Sequence, residues 1–329
     1  MRALICSRLG APDVLEYAEL PDPVAGPGEV VLDVEAAGVN FPDGLMVAGK
    51  YQTKPELPFV PGSEVAGTVR SLGSGVTGLA AGQRVTAFCG IGGYAEQDAV
   101  HADQVHRTPD LMSAVDAAAF PVAYGTSYHG LVDRAGLAAG ETLLVLGAAG
   151  GVGLTAVEIG HALGARVIAA ASTAEKRDLC AEHGADELVD YRETDLKAAI
   201  DDLTGGNGVD VVYDPVGGAA AETAVRKLTW GGRYLTVGYA SGDIPRVGMN
   251  RLLLNEGNLL GVLWGAWARR HPDRNAVNMQ QLLDWHAQGR LRPHIGGTWP
   301  LKDGVAALDT VMGRSALGKI VLQTSTRNG

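Results

Sequence analysis

Leu143-Leu144-Val145-Leu146-Gly147-Ala148-Ala149-Gly150-Gly151-Val152-Gly153 decides how the chain is read. An apolar run of strand length ends in a cluster of glycines, and Leu154 to Leu163 then reads as an apolar-faced helix. Buried strand, glycine turn and helix start, in that order, make the seat that a dinucleotide pyrophosphate needs. Gly150 lets the backbone approach the phosphates, Gly153 lets the helix pack close to the strand, and the helix N-terminus offers free N–H groups to the anion. The spacing G-x-G-x-x-G is met only as Ala148-x-Gly150-x-x-Gly153, so its first glycine is missing. In a chain with 46 glycines the run alone also fits a plain strand-to-helix turn.

The surrounding pattern strengthens the first reading. Strand candidates recur at Thr142–Gly147, Arg166–Ala170, Glu187–Asp190, Val209–Tyr213, Arg233–Gly238 and Asn258–Trp264, most of them separated by helical segments. A second helical pattern runs from Thr126 to Arg134 just before them. Alternation of this kind predicts parallel strands joined by right-handed crossovers, hence a doubly wound α/β sheet. Residues 1 to about 110 differ. Short strands such as 29–36, 65–69 and 84–88 lie between glycines and prolines, which predicts a small irregular β-barrel. The tail carries a helix over 275–288 with Val277, Leu282, Leu283 and Trp285 as its apolar positions. A helix over 303–312 and a last strand over 319–323 follow, and the tail is expected to pack back on the barrel.

Composition narrows the partners. The 329 residues suffice for two cores, and a formal charge of −10 argues against nucleic acid or an anionic membrane, both of which demand a basic face. Cys6, Cys89 and Cys180 are odd in number and far apart, which suits a reducing cytoplasm. No signal-peptide pattern opens the chain, and no apolar run reaches the roughly 18 residues of a membrane span. Metal binding has no signature either: no His or Cys pair shows ligand spacing, and the thiols are too few for a structural zinc.

Cofactor choice is read at the end of the second strand, where a site for NAD usually places a carboxylate roughly 20 residues after the glycines. Here Ala171 runs into Ser172, with Lys176 one turn further, and no acid stands there. A hydroxyl, a helix start and a lysine suit a 2′-phosphate, so NADPH is favoured. Ser172-x-x-Glu175 is equally a well-formed capping box. Tyr191, after the third strand, fits over the same pocket or on the surface. Asn40, Asp43 and Tyr51 are polar residues in an otherwise apolar, glycine-rich stretch, and Asn40-x-x-Asp43 also fits a helix cap or turn. Asp214 before Pro215 fits a turn as well as a cofactor contact.

Four segments, 37–43, 57–67, 148–153 and 211–217, resemble the zinc-free, ζ-crystallin-like quinone oxidoreductases of the medium-chain dehydrogenase/reductase superfamily. Residues 121–126, 252–254 and 261–265 look most like the quinone oxidoreductase-like branch. The resemblance implies a GroES-like barrel domain from 1–122 and 266–329, a Rossmann domain from 123–265, and a homodimer joined near Asn258–Trp264. Zinc-dependent relatives carry a cysteine where this chain has Asn40 and Gly-His-Glu where it has Gly62-Ser63-Glu64, so no metal is expected. Carried over by residue, Asn40, Asp43 and Thr126 are expected to be catalytic and Asn40 and Thr126 to approach the nicotinamide. Ala149, Gly150, Gly151 and Val152 are expected at the pyrophosphate, Ser172, Lys176 and Tyr191 at the 2′-phosphate, Gly238 and Tyr239 elsewhere along the cofactor, and Tyr51 in the substrate pocket. Many relatives have a tyrosine and an arginine where this chain has Leu45 and Val47, which implies a more apolar pocket.

The expected chemistry is hydride transfer from NADPH to a quinone or similar small electron-poor acceptor. Two rivals stay open. One is reduction of an activated C=C bond in a 2-alkenal, enone or enoyl thioester. The other is a crystallin-like NADPH-binding protein with little turnover.

Overall fold

The computed structural model describes residues 1–324 and divides into two compact units. Met1–Gly125, Gly265–Ala287 and residues 293–324 form the first; Thr126–Trp264 and Gln288–Arg292 form the second. The short Gln288–Arg292 segment goes with the second unit because its backbone and side chains are held there. The Arg292 N–H donates to Glu158 Oε1 at 3.0 Å, and the Arg290 guanidinium donates to the carbonyl of Ala162.

The first unit is built on a mixed seven-stranded sheet. Its long central strand, Glu29–Val39, pairs antiparallel with Glu64–Leu72, Gln97–His101 and Lys319–Gln323. The tail therefore does return to the N-terminal part, and it does so in register: Ile320 faces Val39 and Leu322 faces Ala37. Leu32, Val34, Val65, Val85, Tyr94 and Leu322 fill the core. The helix Pro272–Ala287 buries Asn275, Met279, Leu282, Leu283 and Trp285. Val277, expected on that face, is 69% exposed; the helix begins at Pro272 and its buried stripe runs through positions 275, 279 and 282.

The second unit is a six-stranded, all-parallel sheet ordered Glu187–Asp190, Arg166–Ala171, Thr142–Leu146, Val209–Asp214, Leu228–Thr236, Asn258–Gly261. This is the doubly wound order, with the chain reversing its direction of travel between Thr142–Leu146 and Val209–Asp214. The central strands are continuous apolar runs because helices cover both faces. In this sheet two strand limits differ from the sequence expectation by three residues or more. Leu228–Thr236 starts five residues before Arg233, since Leu228 already pairs with Val209 across a bulge. Asn258–Gly261 stops before Trp264, because its partner ends at Thr236, opposite Gly261; Val262 still donates to the Thr236 carbonyl at 3.0 Å, and Trp264 opens a helix. The expected helix 126–134 begins earlier, at Pro121, and from His129 to Arg134 widens into a π-helical turn. Among the described residues no helix is long and apolar enough to cross a membrane.

Candidate active site

The carboxyl ends of the parallel strands bring one group of expected residues together. Thr142–Leu146 ends at Gly147, whose φ of +59° makes the tight turn that the sequence spacing left without a glycine. The turn glycine is thus present, one residue before the expected place. Gly150 caps the helix Gly151–Ala162 without any side-chain bond, which leaves the first-turn N–H groups of this helix without a side-chain cap. Gly153 tolerates no side chain: a Cβ there would lie 2.3 Å from the Gly147 carbonyl oxygen and 2.9 Å from the Ala148 Cα.

Ser172 follows Ala171, which is paired with Asp190, so Ser172 and Tyr191 lie on adjacent loops at this same edge. The capping box expected from Ser172 does not form. The strand runs one residue longer, to Ala171, and Thr173 becomes the cap, its Oγ1 accepting the Lys176 N–H at 3.3 Å. Ser172 and Lys176 are both half-buried. Sequence reasoning missed Arg177, whose guanidinium donates to the Ala171 carbonyl at 3.4 Å and to Asp190 Oδ2 at 2.5 Å, tying the two loops. Across the switch point, Gly238 donates to the Asp214 carbonyl at 3.3 Å, and the Tyr239 hydroxyl accepts from Thr236 Oγ1 at 3.1 Å. Asp214 itself takes the turn role. Its Oδ1 accepts the N–H groups of Val216 at 2.7 Å and Gly217 at 2.9 Å, and Tyr234 donates to its other oxygen. Thr126, half-buried, precedes Ser127, whose hydroxyl donates to the Val152 carbonyl at 2.9 Å and meets the Tyr213 hydroxyl at 2.9 Å. That bond sets Thr126 beside the glycine loop.

A second group of polar residues is buried in the first unit. The Asn40-x-x-Asp43 pair does cap its helix, Phe41–Val47, as Asp43 Oδ2 accepts the Asn40 N–H at 2.9 Å. It does more as well. Asp43 is fully buried and also accepts from the Ser63 hydroxyl and, at 2.8 Å, from the Tyr94 hydroxyl. Burial pushes its carboxyl up to about 6, against the pull of these donors and of the Lys319 charge. The Asn40 amide is committed on both sides: Nδ2 donates to Glu64 Oε1 at 2.8 Å, and Oδ1 accepts from Lys319 Nζ at 2.6 Å. Lys319 also donates to Glu64 Oε1 at 2.7 Å, while Glu64 Oε2 accepts the Val122 N–H at 2.7 Å at the start of the helix that carries Thr126. Tyr51 is half-buried; burial raises its hydroxyl first, then the charge of Asp43, with Arg269 opposing. Val47 packs fully buried in the core of the first unit, so it is a core residue rather than pocket lining.

Sequence reasoning missed Ser63, Tyr94 and the Glu64–Lys319 pair. One signal was visible, a lysine opening the otherwise apolar strand Lys319-Ile320-Val321-Leu322. Among the described residues no cluster of three or more His, Cys, Asp or Glu side chains is arranged to hold a metal ion.

Known proteins resemble this chain in sequence and fold. The alcohol dehydrogenase GroES-like domain matches residues 26–110, and the zinc-binding dehydrogenase family matches residues 151–282. The quinone oxidoreductase-like protein 2 homolog of Nematostella vectensis is 37% identical over 326 residues, covering 98% of this chain and 89% of its own. The chain belongs to the quinone oxidoreductase family. Solved structures agree with that placement in a quinone oxidoreductase fold. A probable oxidoreductase of Mycobacterium abscessus is 41% identical with a TM-score of 0.89, covering 98% of each chain. Escherichia coli quinone oxidoreductase in complex with NADPH is 29% identical with a TM-score of 0.91, covering 98% of this chain and all of its own. Like these quinone oxidoreductase relatives, the chain is an oxidoreductase.

Proposed function

We propose that the protein oxidises NADPH and passes the hydride to a quinone or a similarly electron-poor small molecule, without zinc. The observation that carries the cofactor reading is the carboxyl edge of the parallel sheet: an uncapped helix start at Gly150–Val152, with Ser172 released from capping duty by Thr173 and Lys176 one turn beyond. No carboxylate stands at the end of Arg166–Ala171 to reject a 2′-phosphate. The complex of E. coli quinone oxidoreductase with NADPH supports the same cofactor. Bound there, NADPH supplies the hydride. Ala149 to Val152 receive the pyrophosphate, Ser172, Lys176 and Tyr191 the 2′-phosphate, and Gly238 and Tyr239 a further part of the nucleotide. Thr126, set beside the glycine loop, serves the nicotinamide. Asn40 and Asp43 serve the transfer, with Tyr51 as pocket wall.

Zinc independence is supported by what the donor atoms already do. Asn40 Oδ1 and Glu64 Oε1 share the Lys319 ammonium, so a divalent cation at these oxygens would face a fixed positive charge. Dimerisation through the strand Asn258–Gly261 is supported by its place at the end of the sheet and by the exposure of Leu259 and Leu263. Light scattering of the purified protein tests it. The scattered thiols support a cytoplasmic setting.

Fluorescence titration with NADPH and NADH, followed by NADPH oxidation against benzoquinone, phenanthrenequinone, a 2-alkenal and crotonyl-CoA after chelator treatment, tests the reading. Tighter binding of NADPH and turnover with the quinones are expected. Turnover confined to the alkenal or thioester would overturn the acceptor class, and tighter binding of NADH the role of Ser172 and Lys176. NADPH binding without oxidation by any of the four would leave a binding protein.

A further inference from the structure

Three groups donate to the Asp43 carboxylate, and they are not equivalent. Asn40 offers a backbone N–H, which can only donate. Tyr94 offers a hydroxyl on a side chain with no exposure at all. Ser63 offers a hydroxyl, able to donate and accept, on a residue that retains 6% exposure. Ser63 is also fixed in place, since its carbonyl accepts the N–H groups of Cys89 at 2.9 Å and Gly90 at 3.0 Å.

The two carboxylate oxygens differ in the same way. Oδ2 takes both the Asn40 N–H and the Tyr94 hydroxyl, so its lone pairs are used, while Oδ1 takes only Ser63. A proton arriving on Asp43 therefore belongs on Oδ1, where it points at Ser63 Oγ. The Ser63 oxygen must then accept, and its own hydrogen turns away from Asp43. Protonating the carboxyl thus converts Ser63 from a donor aimed inward to a donor free to serve something else.

We propose that Ser63 is a catalytic proton relay: its hydroxyl passes a proton from the Asp43 carboxyl to the acceptor as the acceptor is reduced. The inference rests on the proposed reduction of a quinone by NADPH. The hydride leaves the nicotinamide C4 with both electrons, NADPH is oxidised and the quinone reduced. A new O–H bond forms on the reduced quinone with the hydrogen of Ser63 Oγ, and the Asp43 O–H bond breaks to restore the Ser63 hydroxyl. Asp43 is left as a carboxylate and regains one proton from water. One NADPH, one quinone and one proton give NADP⁺ and a hydroquinone.

The charges around Asp43 suit this task. Glu64 is matched by Lys319 at 2.7 Å, so the nearest cation is already shared with another carboxylate. Tyr94, Cys89 and Tyr51 also face the Asp43 charge, and burial holds all three above their ordinary values. They stay neutral where Asp43, raised to about 6, exchanges its proton. Of Asp43, Tyr94, Cys89 and Tyr51, Asp43 is the one that titrates within reach of neutrality; Asp98, raised to about 7, is hydrogen-bonded with Cys89 and not with Asp43.

Steady-state NADPH oxidation with phenanthrenequinone, run from pH 5 to 8 in H2O and D2O on the full chain, tests the relay. For the native protein kcat is expected to fall as pH rises through about 6, with a solvent isotope effect. Ser63→Ala is expected to lose about 10²-fold in kcat together with the pH dependence and the isotope effect, with NADPH affinity held within about twofold. Ser63→Thr, which keeps a hydroxyl, is expected to restore both. Native kcat and pH profile in Ser63→Ala overturn the relay while the proposed function stands; so does a Ser63→Thr variant that folds, binds NADPH and is as slow as the alanine. A native protein that oxidises no NADPH with phenanthrenequinone or the other acceptors overturns the proposed function itself, and the relay with it.

Discussion

Replacing Lys319 by Met tests whether the buried network of the first unit is held by charge. Its ammonium donates to Asn40 Oδ1 at 2.6 Å, Glu64 Oε1 at 2.7 Å and the Val39 carbonyl at 3.3 Å, and neither it nor Glu64 reaches solvent appreciably. Without the ammonium, Glu64 keeps two neutral donors, the Asn40 amide and the Val122 N–H, and its charge stays buried. Removing one partner of such a pair costs about 3–5 kcal/mol, most of it the penalty of the stranded charge. Glu64→Gln strands the lysine and is expected to cost a similar amount. The double variant strands neither, and its glutamine oxygen still accepts from Val122. Its cost should therefore fall short of the sum of the singles by about 2 kcal/mol or more. Urea unfolding, with hydrogen exchange of the strands Glu64–Leu72 and Lys319–Gln323 as the local report, measures all three. Costs that add to within about 0.5 kcal/mol would show that the two groups do not depend on each other, and the argument from stranded charge would fail.

Three further outcomes are expected. Gly153→Ala places a methyl 2.3 Å from the Gly147 carbonyl oxygen, against backbone with no flexible end to give way, so NADPH affinity should drop by about tenfold or more; an unchanged Kd by fluorescence titration would refute the close packing. Thr173→Ala should cost about 1 kcal/mol of stability through the lost cap, and Ser172→Ala almost none, while only Ser172→Ala lowers the NADPH-over-NADH preference, by roughly tenfold. Burial raises Asp98 to about 7, and its Oδ2 has no hydrogen-bond partner among the described residues. The folded chain then binds this proton more tightly than the unfolded one, so stability is lost as pH rises from about 4 through 7, by about 4 kcal/mol in all. Asp98→Asn should remove that slope; equal effects of the substitution at pH 5 and pH 8 would count against it.

What the sequence made legible follows from where the information is local. Glycines between a buried strand and a helix mark a turn whatever the rest of the chain does, and the alternation around them carries the doubly wound sheet. The errors arose where one residue's role depends on its neighbour's exact place. Ser172 and Thr173 are both good caps, and one more strand residue, Ala171, hands the cap to Thr173. Ala148 reads as a missing glycine only until the positive φ is seen at Gly147.

The polar group of the first unit was hidden for a different reason. Asn40, Ser63, Glu64, Tyr94 and Lys319 come from four separate stretches of chain, and sheet pairing alone brings Lys319 beside Val39 and Glu64 opposite Gly38. Spacing within a segment cannot report such a meeting; it shows only Asn40-x-x-Asp43, whose capping pattern is complete in itself. Asp43 has room for bonds beyond the cap because its two oxygens take different donors. Oδ2 closes the cap and takes Tyr94, and that leaves Oδ1 to Ser63 alone. A residue that looks fully explained by local structure can therefore still carry a bond to a distant segment, and the way to find it is to count its lone pairs.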